Sequence, residues 1–166
     1  MQAIPSYFQE APLLQSERLI LRAFKARDAA DCVEISVYDG VSATTEEEAL
    51  LILQRIWADC LRGESVHWGV CLKKDNKIIG NCGFYRGFKD NTGEIGYVLK
   101  TAHQGQGIMT EAICLVVFDF GFKAMQLDKI VAYTGPENIA SQKVLEKVGF
   151  KELERTSSEL KLELTK

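Results

Sequence analysis

His103-Gln104-Gly105-Gln106-Gly107-Ile108-Met109-Thr110 lies between a run typical of a strand, Glu94 to Leu99, and a long apolar run that begins at Thr110. The first backbone N–H groups of a helix have no intrahelical acceptor and point outward with the positive end of the helix dipole, so they form an anion site. Gly105 and Gly107 would let a phosphate approach this backbone, and they would also suit an ordinary tight turn. The stretch is therefore a candidate phosphate-binding loop at the start of a helix.

Two common phosphate-binding motifs do not fit this loop. The P-loop needs Gly-Lys-Ser/Thr, which the sequence lacks, and the Rossmann fingerprint needs a third glycine where Thr110 stands. No acidic residue stands at the place where a ribose contact would be required, and the preceding strands are predicted to be antiparallel. A nucleotide-binding module therefore stays only as an alternative.

A second motif follows the short predicted strand 129–133. It reads Asn138-Ile139-Ala140-Ser141 and continues to Leu145-Glu146-Lys147-Val148-Gly149-Phe150. Its apolar spacing predicts a helix over 139–148 that ends at Gly149. Together with Gln104-x-x-Gly107 at a strand-to-helix junction, this motif closely resembles the acetyl-coenzyme A site of the GCN5-related N-acetyltransferases.

The resemblance extends over nearly the whole chain, from Leu13 to the end. Three further segments are similar to the branch of this family that acetylates the N-termini of ribosomal proteins: Arg18-Leu19-Ile20-Leu21-Arg22 with Asp28, Ile79-Gly80-Asn81 with Gly83, and Gly93-Glu94-Ile95-Gly96-Tyr97 followed by Thr110-Glu111-Ala112. Two positions depart from the family pattern. Met109 stands where the family has a small residue, and Leu145 stands where many members carry the tyrosine that protonates the leaving thiolate.

The resemblance implies an α+β (mixed α/β) fold. A central, mostly antiparallel twisted sheet would be flanked by helices and would splay open in a V between strands 94–99 and 129–133, with acetyl-CoA in the gap. The backbone amides of the glycine loop would bind the pyrophosphate, and the strand backbone before it would pair with the pantetheine arm. The implied cofactor-binding residues are Val98, Leu99, Gln104, Gly105, Gln106, Gly107, Ile108, Met109, Asn138 and Ser141.

Acetyl transfer to an amine needs a base for the ammonium proton and a proton donor for the leaving thiolate. Glu94 is the candidate base because it lies on the strand expected to hold the cofactor, although an exposed carboxylate in an ion pair would give the same sequence. Ser141 is the candidate proton donor in place of the missing tyrosine, or a residue that only packs within its helix. Tyr97 and Tyr133 are alternative donors, and strand alternation places Tyr97 on the face opposite Glu94.

The remaining elements follow from periodicity, caps and turns. The predicted helices cover 29 to about 37 with Asp28 as N-cap, a second segment capped by Thr44 or Thr45 that runs to Leu61 with Gly63 after it, and 110–124. The predicted strands cover 18–22, 66–72, 77–85, 150–153 and 160–164. The run from 66 to 99 is predicted to form three successive antiparallel strands. The acceptor pocket is expected between the first two helices and the loop near Phe88 and Asp90.

Length and composition predict one domain over residues 1–166, with a loose N-terminal arm over 1–14. Twenty Lys and Arg against 23 Asp and Glu give a net charge of −3, which lacks the basic footprint of nucleic-acid-binding proteins. The five cysteines and two histidines form neither a Cys-x-x-Cys pair nor a zinc motif, so buried thiols in a reducing compartment and no metal are expected. With neither a signal peptide nor an apolar run of membrane length, we expect a cytoplasmic protein with no membrane partner.

The sequence thus predicts an acetyl-CoA-dependent N-acetyltransferase that acts on a primary amine. The resemblance favours a protein N-terminus, such as that of a ribosomal protein, as the acceptor. A polyamine, an amino-acid derivative or an antibiotic would use the same cofactor site, because fold and cofactor do not determine the acceptor. A non-catalytic CoA-binding module is a further alternative, and both a monomer and a homodimer remain open.

Overall fold

The computed structural model describes residues 4–166, which form one large sheet, a small hairpin and four α-helices. The strands are β1 (Leu14–Gln15), β2 (Leu19–Arg22), β3 (Val37–Tyr38), β4 (Val41–Ser42), β5 (Val66–Leu72), β6 (Ile78–Tyr85), β7 (Thr92–Leu99), β8 (Lys129–Thr134), β9 (Lys151–Arg155) and β10 (Leu160–Thr165). Eight of them form the sheet in the order β1-β2-β5-β6-β7-β8-β10-β9, and β3 pairs with β4 in the separate hairpin. All pairs are antiparallel except β7 with β8, which confirms the predicted mixed fold.

The helices are α1 (Ala29–Cys32), α2 (Glu46–Leu61), α3 (Ile108–Cys114) and α4 (Ile139–Val148), and α3 continues directly as a π-helix over Leu115–Phe122. Of the two predicted caps of helix α2, the structure selects Thr45, whose side chain accepts the backbone N–H of Glu48. Helix α4 has the predicted bounds, and Gly149 ends it with a left-handed φ of 114°.

Helices cover both faces of the sheet, and strand alternation divides the core between them. On β5, Trp68 and Val70 pack in the cluster that includes α3, whereas Cys71 packs in the cluster that includes α1 and α2. These side chains point to opposite faces because neighbouring strand residues alternate. The helix after α3 approaches the sheet closely at Gly121, where an added Cβ would lie 2.9 Å from Ile130 Cδ1 and 3.0 Å from Phe84 Cζ.

The parallel pair β7 and β8 separates part-way along its length. The register runs from Thr92 opposite Lys129 to Ile95 opposite Ala132, and no pairing between the two strands follows. Each strand stays paired on its other side: β6 pairs with β7 as far as Leu99, and β10 pairs with β8 as far as Thr134. The sheet therefore opens between β7 beyond residue 95 and β8 beyond residue 132, a region that we call the strand gap. The V-shaped splay predicted from the sequence is confirmed.

Two local predictions were wrong. The helix expected from 29 to about 37 is a single α-helical turn between two 3₁₀ turns, Ala26–Asp28 and Val33–Ile35, and Val37 belongs to β3. The chain turns back here because Asp39 and Gly40, with φ values of 48° and 78°, form the hairpin bend. Asp28 does not cap α1, since its carboxylate binds the Arg22 guanidinium and the backbone N–H of Lys25.

The N-terminal arm is not loose where the structure describes it; residues 1–3 of the predicted arm lie outside the described residues. Ser6–Phe8 forms a 3₁₀ turn, and Phe8 is buried against Phe88 with 5.7 Å between ring centroids. The Pro12 carbonyl accepts the indole N–H of Trp68 at 2.7 Å. Helix α3 begins at Ile108, two residues before the predicted start at Thr110, because the left-handed Gly107 immediately precedes it.

Within residues 4–166, no helix combines the length and apolar character that crossing a bilayer requires. The same residues contain no group of three or more His, Cys, Asp or Glu side chains placed to hold a metal ion.

Candidate active site

The glycine loop, residues 103–110, connects β7 to α3 through the 3₁₀ turn Thr101–His103. Gly105 and Gly107 have left-handed φ values of 75° and 73°, which a side chain with a Cβ adopts only with strain. The first N–H of α3 with an intrahelical acceptor is that of Glu111, bonded to Gly107 O at 3.1 Å. The N–H groups of residues 108–110 precede it and are the donors expected of an anion site.

Two side chains from the connection between β1 and β2 hold the loop from behind. Arg18 Nη2 donates to Gln106 O at 3.0 Å, and Arg18 Nε pairs with Glu111 Oε2 at 2.5 Å. The Ser16 hydroxyl also donates to the Glu111 carboxylate. Sequence reasoning placed Arg18 and Glu111 in the family resemblance but assigned them no role, because no local signal relates residues so far apart in the chain.

The predicted cofactor residues of the loop lie at one end of the strand gap. Gln104 Nε2 donates to Leu99 O at 3.1 Å, so the loop is tied to the end of β7. The Ile108 and Met109 side chains are buried in the core, which leaves only their backbone for a ligand. Beyond residue 95, β7 has no strand neighbour on the gap side, and Val98 and Leu99 lie in this stretch.

The start of α4 lies across the strand gap from β7 and brings three polar groups together. Asn138 Oδ1 accepts the backbone N–H of Ser141 at 3.1 Å and so caps the helix. Ser141 Oγ lies 2.7 Å from the Tyr97 hydroxyl, which makes Tyr97 the direct partner of the predicted proton donor. Leu145 is fully buried, so it packs in the core where many family members carry the catalytic tyrosine.

The Tyr97 hydroxyl keeps its proton at neutral pH. Burial raises the pKa of Tyr97 to about 12, and the hydrogen bond with Ser141 acts in the opposite direction. The pair can therefore donate a proton towards the gap from either oxygen. Tyr133, the other alternative donor, is 39% exposed and lies beneath the Lys161 ammonium, 5.8 Å from its ring centroid.

A cavity of about 490 Å³ lies on the Glu94 face of the sheet, and we call it the Glu94 cleft. Its lining comes from β3, the end of α2, β6 and β7: Val37, Tyr38, Asp39, Asp59, Arg62, Glu64, Asn81, Tyr85, Arg86, Glu94, Gly96, Tyr97 and Val98. The hairpin β3–β4 thus takes the place expected for the first helix. Phe88 and Asp90, which were expected beside the acceptor pocket, do not line this cleft.

The Glu94 cleft contains four carboxylates and two guanidinium groups. Arg86 donates to Glu94, and Arg62 pairs with Asp59 and, at 3.1 Å, with Glu64. The ion pair that the sequence left as an alternative for Glu94 is therefore present. Because each arginine is matched by two acids, the lining as a whole is negatively charged and favours a cationic ligand.

The hairpin is joined to α2 inside this cleft. The Tyr38 hydroxyl donates to Asp59 Oδ2 at 2.5 Å, and this hydrogen bond raises the pKa of Tyr38 to about 12. The hydrogen bond thereby holds the bend of the hairpin, and Asp39 with it, close to α2.

His67 has a structural position. It is buried on β5, stacks on Phe24 with 4.9 Å between centroids, and neither ring nitrogen has a hydrogen-bond partner within residues 4–166. Burial lowers the pKa of His67 to about 3, against a smaller opposite influence of the Asn81 amide. The ring is therefore neutral at physiological pH, and His67 is not among the residues that line the Glu94 cleft.

Comparison with known proteins gives the family. Residues 18–151 match the model of the acetyltransferase (GNAT) domain. The chain belongs to this family. As a GNAT N-acetyltransferase it uses acetyl-CoA as the acetyl donor, in agreement with the two motifs that the structure places at the strand gap.

Two relatives of this GNAT chain come from bacilli. The protein named "Probable N-acetyltransferase YjcK" of Bacillus subtilis (strain 168) is 41% identical over 91 residues, which is 54% of this chain and only half, 50%, of YjcK. The protein named "Uncharacterized N-acetyltransferase p20" of Bacillus licheniformis is 32% identical over 145 residues, 82% of this chain and 81% of that protein.

Two solved structures share the GNAT fold. A candidate ribosomal-protein-serine acetyltransferase from Vibrio cholerae superposes with a TM-score of 0.82 at 20% identity, covering 93% of this chain and 98% of that one. The microcin C7 self-immunity acetyltransferase MccE, solved in complex with acetyl-CoA and AMP, superposes with a TM-score of 0.76 at 17% identity, covering 90% of this chain and 93% of that one.

Proposed function

We propose that this GNAT acetyltransferase acetylates a primary amine that enters the Glu94 cleft, and that its preferred acceptor is the N-terminal amine of a protein. One observation carries the proposal: β7 presents Glu94 to a negatively charged cleft while the same strand borders the strand gap. A protein α-amino group has a pKa of about 8 and is largely protonated at neutral pH. The cleft therefore attracts the acceptor in the form from which Glu94 must remove a proton.

The described residues that border the strand gap fit acetyl-CoA. Acetyl-CoA supplies the acetyl thioester for the reaction. The backbone amides from Gly105 to Met109 would bind its pyrophosphate, whereas that of Gln104 already donates to Thr101 O at 3.2 Å. The edge of β7 at Val98 and Leu99 would pair with its pantetheine arm as an added strand would, once Gln104 Nε2 gives up Leu99 O. Asn138 uses its oxygen to cap α4, so its NH₂ group is left to donate to the same arm.

Glu94 and the Ser141–Tyr97 pair move the protons. Glu94 takes one proton from the acceptor ammonium, directly or through a water molecule. The neutral amine forms the C–N bond with the acetyl carbon while the C–S bond breaks, and the new amide nitrogen releases its second proton to solvent. The thiolate receives a proton from Ser141 or Tyr97, which regains one from solvent, and Glu94 returns its proton to solvent. Positioning the amine against the thioester accounts for much of the rate, since orientation alone can contribute about 7–11 kcal/mol.

The preference for a protein N-terminus is supported by the resemblance to the ribosomal-protein branch. The cleft volume of about 490 Å³ also lies within the range of small-molecule sites, so a free polyamine or amino-acid derivative is the second candidate acceptor. Both candidates use the same cofactor residues and the same base.

The test begins with calorimetric titration of the protein with acetyl-CoA, with ATP and NAD as controls. CoA release is then followed with a thiol reagent for peptides that begin with alanine or serine, the same peptides blocked at the N-terminus, spermidine and free amino acids. We expect acetyl-CoA to bind at micromolar concentration and the unblocked peptides to be acetylated on the α-amine. Turnover with spermidine or amino acids alone would replace the protein acceptor by a small one, and absence of turnover with every amine would refute the proposal.

A further inference from the structure

We infer that Arg86 is a positioning residue of this acetyltransferase. Arg86 holds the Glu94 carboxylate until the acceptor ammonium replaces it, and Asp39 then receives the guanidinium group. The inference rests on the proposed function, since it assumes that Glu94 is the base and that the acceptor enters the Glu94 cleft as a cation.

One guanidinium group faces two carboxylates through two different nitrogen atoms. Arg86 Nη1 donates to Glu94 Oε1, and Arg86 Nη2 lies 4.0 Å from Asp39 Oδ1. The first contact is a hydrogen-bonded ion pair, whereas the second is at the outer limit of one. Arg86 can therefore pass from Glu94 to Asp39 by rotation about its own side-chain bonds.

The two carboxylates differ in how far they are shielded from water. The side chain of Glu94 is 22% exposed, whereas those of Asp39 and Arg86 are 71% and 66% exposed. A charge that is partly withdrawn from water needs a partner more than an exposed charge does. Glu94 therefore needs a cation beside it for as long as it is ionised, whereas Asp39 tolerates both the presence and the absence of one.

An exchange of cations satisfies this need without leaving Glu94 unpaired. The Arg86 guanidinium and the acceptor ammonium each carry one positive charge, so replacing the first by the second keeps the charge beside Glu94 constant. Only the ammonium can pass a proton to Glu94, because arginine does not deprotonate in proteins. Transfer of Arg86 to Asp39 thus frees Glu94 Oε1 for the ammonium, and Asp39 lowers the cost of that transfer.

Arg62 provides the matched control. It lines the same cleft and also lies between two carboxylates, Asp59 and Glu64. Neither of these is the proposed base, so Arg62 resembles Arg86 in charge and surroundings but has no part in the exchange.

The test is a double-mutant cycle on the KM for the acceptor peptide, at saturating acetyl-CoA. Asp39→Asn should raise this KM about two- to fivefold, the size expected for a partly exposed ion pair, with little change in kcat, because Arg86 then competes longer for Glu94. The same substitution should raise KM clearly less in an Arg86→Met background, where only the loss of one negative charge from the cleft remains, and should keep its full effect in an Arg62→Met background. A role for Asp39 in folding alone would alter Tm without this pattern in KM.

Two results would overturn the inference. If Asp39→Asn raises KM equally with and without Arg86, Asp39 contacts the acceptor directly. If Arg86→Met lowers kcat/KM as strongly as Glu94→Gln does, Arg86 itself binds the acceptor. Failure of the proposed function gives a different result, namely wild-type turnover by Glu94→Gln or no turnover by the wild type.

A second measurement needs no turnover. The Nε–H signal of Arg86 in the ¹⁵N NMR spectrum is followed while propylammonium chloride is added, with sodium chloride as control. We expect the signal to move with propylammonium in the wild type and to move much less in Asp39→Asn. No movement in the wild type, or equal movement with sodium chloride, contradicts the exchange.

Discussion

The two sides of β7 present different chemical groups to their proposed ligands. On the cofactor side, the glycine loop offers backbone N–H groups, and side chains such as Arg18 hold it from behind. On the acceptor side, the Glu94 cleft is lined by charged side chains joined in ion pairs, several of them exposed. Backbone geometry can serve one ligand only, whereas charged side chains can be replaced one at a time. The difference explains how a family can keep one cofactor and vary its acceptors.

The largest effect is expected from Glu94→Gln on the acceptor side. Loss of the carboxylate removes the base while the amide keeps nearly the same volume, so kcat should fall by about a hundredfold or more. The affinity for acetyl-CoA should stay within about twofold of the wild type, because the ion pairs of the cleft do not form the glycine loop. Stopped-assay kinetics and calorimetry measure the two quantities. An equal loss in both would break the division between the two sides.

Gly107→Val tests the converse case, in which a change on the cofactor side weakens the binding of acetyl-CoA. Its φ of 73° costs an ordinary residue about 1–2 kcal/mol, and more for a β-branched one, so the Kd for acetyl-CoA should rise about tenfold or more. Gly87→Val is the matched control, since Gly87 has a φ of 79° but follows Arg86 on the acceptor side. The control should leave the Kd for acetyl-CoA near that of the wild type. Equal weakening by both variants would show a general loss of stability instead.

Substitution of the Ser141–Tyr97 pair should have a smaller effect on turnover. Because their oxygens lie 2.7 Å apart, either can take over donation when the other is removed. Ser141→Ala and Tyr97→Phe should each lower kcat about three- to tenfold, as expected for one hydrogen bond, and the double variant should lose more than the product of the two. If the double variant loses no more than one single variant, the two oxygens act in series and not as alternatives.

The smallest expected effect on catalysis is that of His67→Phe, behind the acceptor side. The pKa of His67 is about 3 in the folded protein and about 6.5 unfolded. Because the fold accommodates the neutral ring, His67 makes its full contribution to the free energy of unfolding above pH 6.5. That contribution is lost as the pH falls from 6.5 towards 3, at about 1.4 kcal/mol per pH unit.

The His67→Phe variant should lack that part of the pH dependence and keep its kcat. Urea unfolding at pH 7 and pH 4.5 measures the difference between variant and wild type. If both proteins lose the same stability over this interval, His67 is not the group that titrates.

The sequence predicted best where a local signal defines the backbone. Gly149 and the spacing before it indicated the bounds of α4 correctly, and the pair Thr44 and Thr45 indicated the start of α2 to within one residue. The parts that it missed depend on contacts between distant residues. Neither the pairing of Tyr97 with Ser141 nor the alternative partner of Arg86 at Asp39 has a local pattern.

The segment around α1 shows where a local sequence pattern gives the wrong prediction. Periodicity predicted a helix there, but the bend at Asp39 and Gly40 and the pairing of Asp28 with Arg22 favour a different course of the chain. Tertiary contacts therefore decide the wall of the Glu94 cleft, the part of the molecule in which we propose that the acceptor binds.

The side-chain contacts that hold the glycine loop from behind have a consequence for how the newly made chain folds. Arg18 and Glu111 lie 93 residues apart in the chain, so the loop takes its final shape only after the first strands and α3 have come together. Contacts between such distant residues form late, because a long loop must close before they contribute. Acetyl-CoA should consequently bind only chains whose sheet is assembled, and its cellular concentration would draw newly made chains toward the native state. Acetyl-CoA, the substrate, would then also help the enzyme to fold.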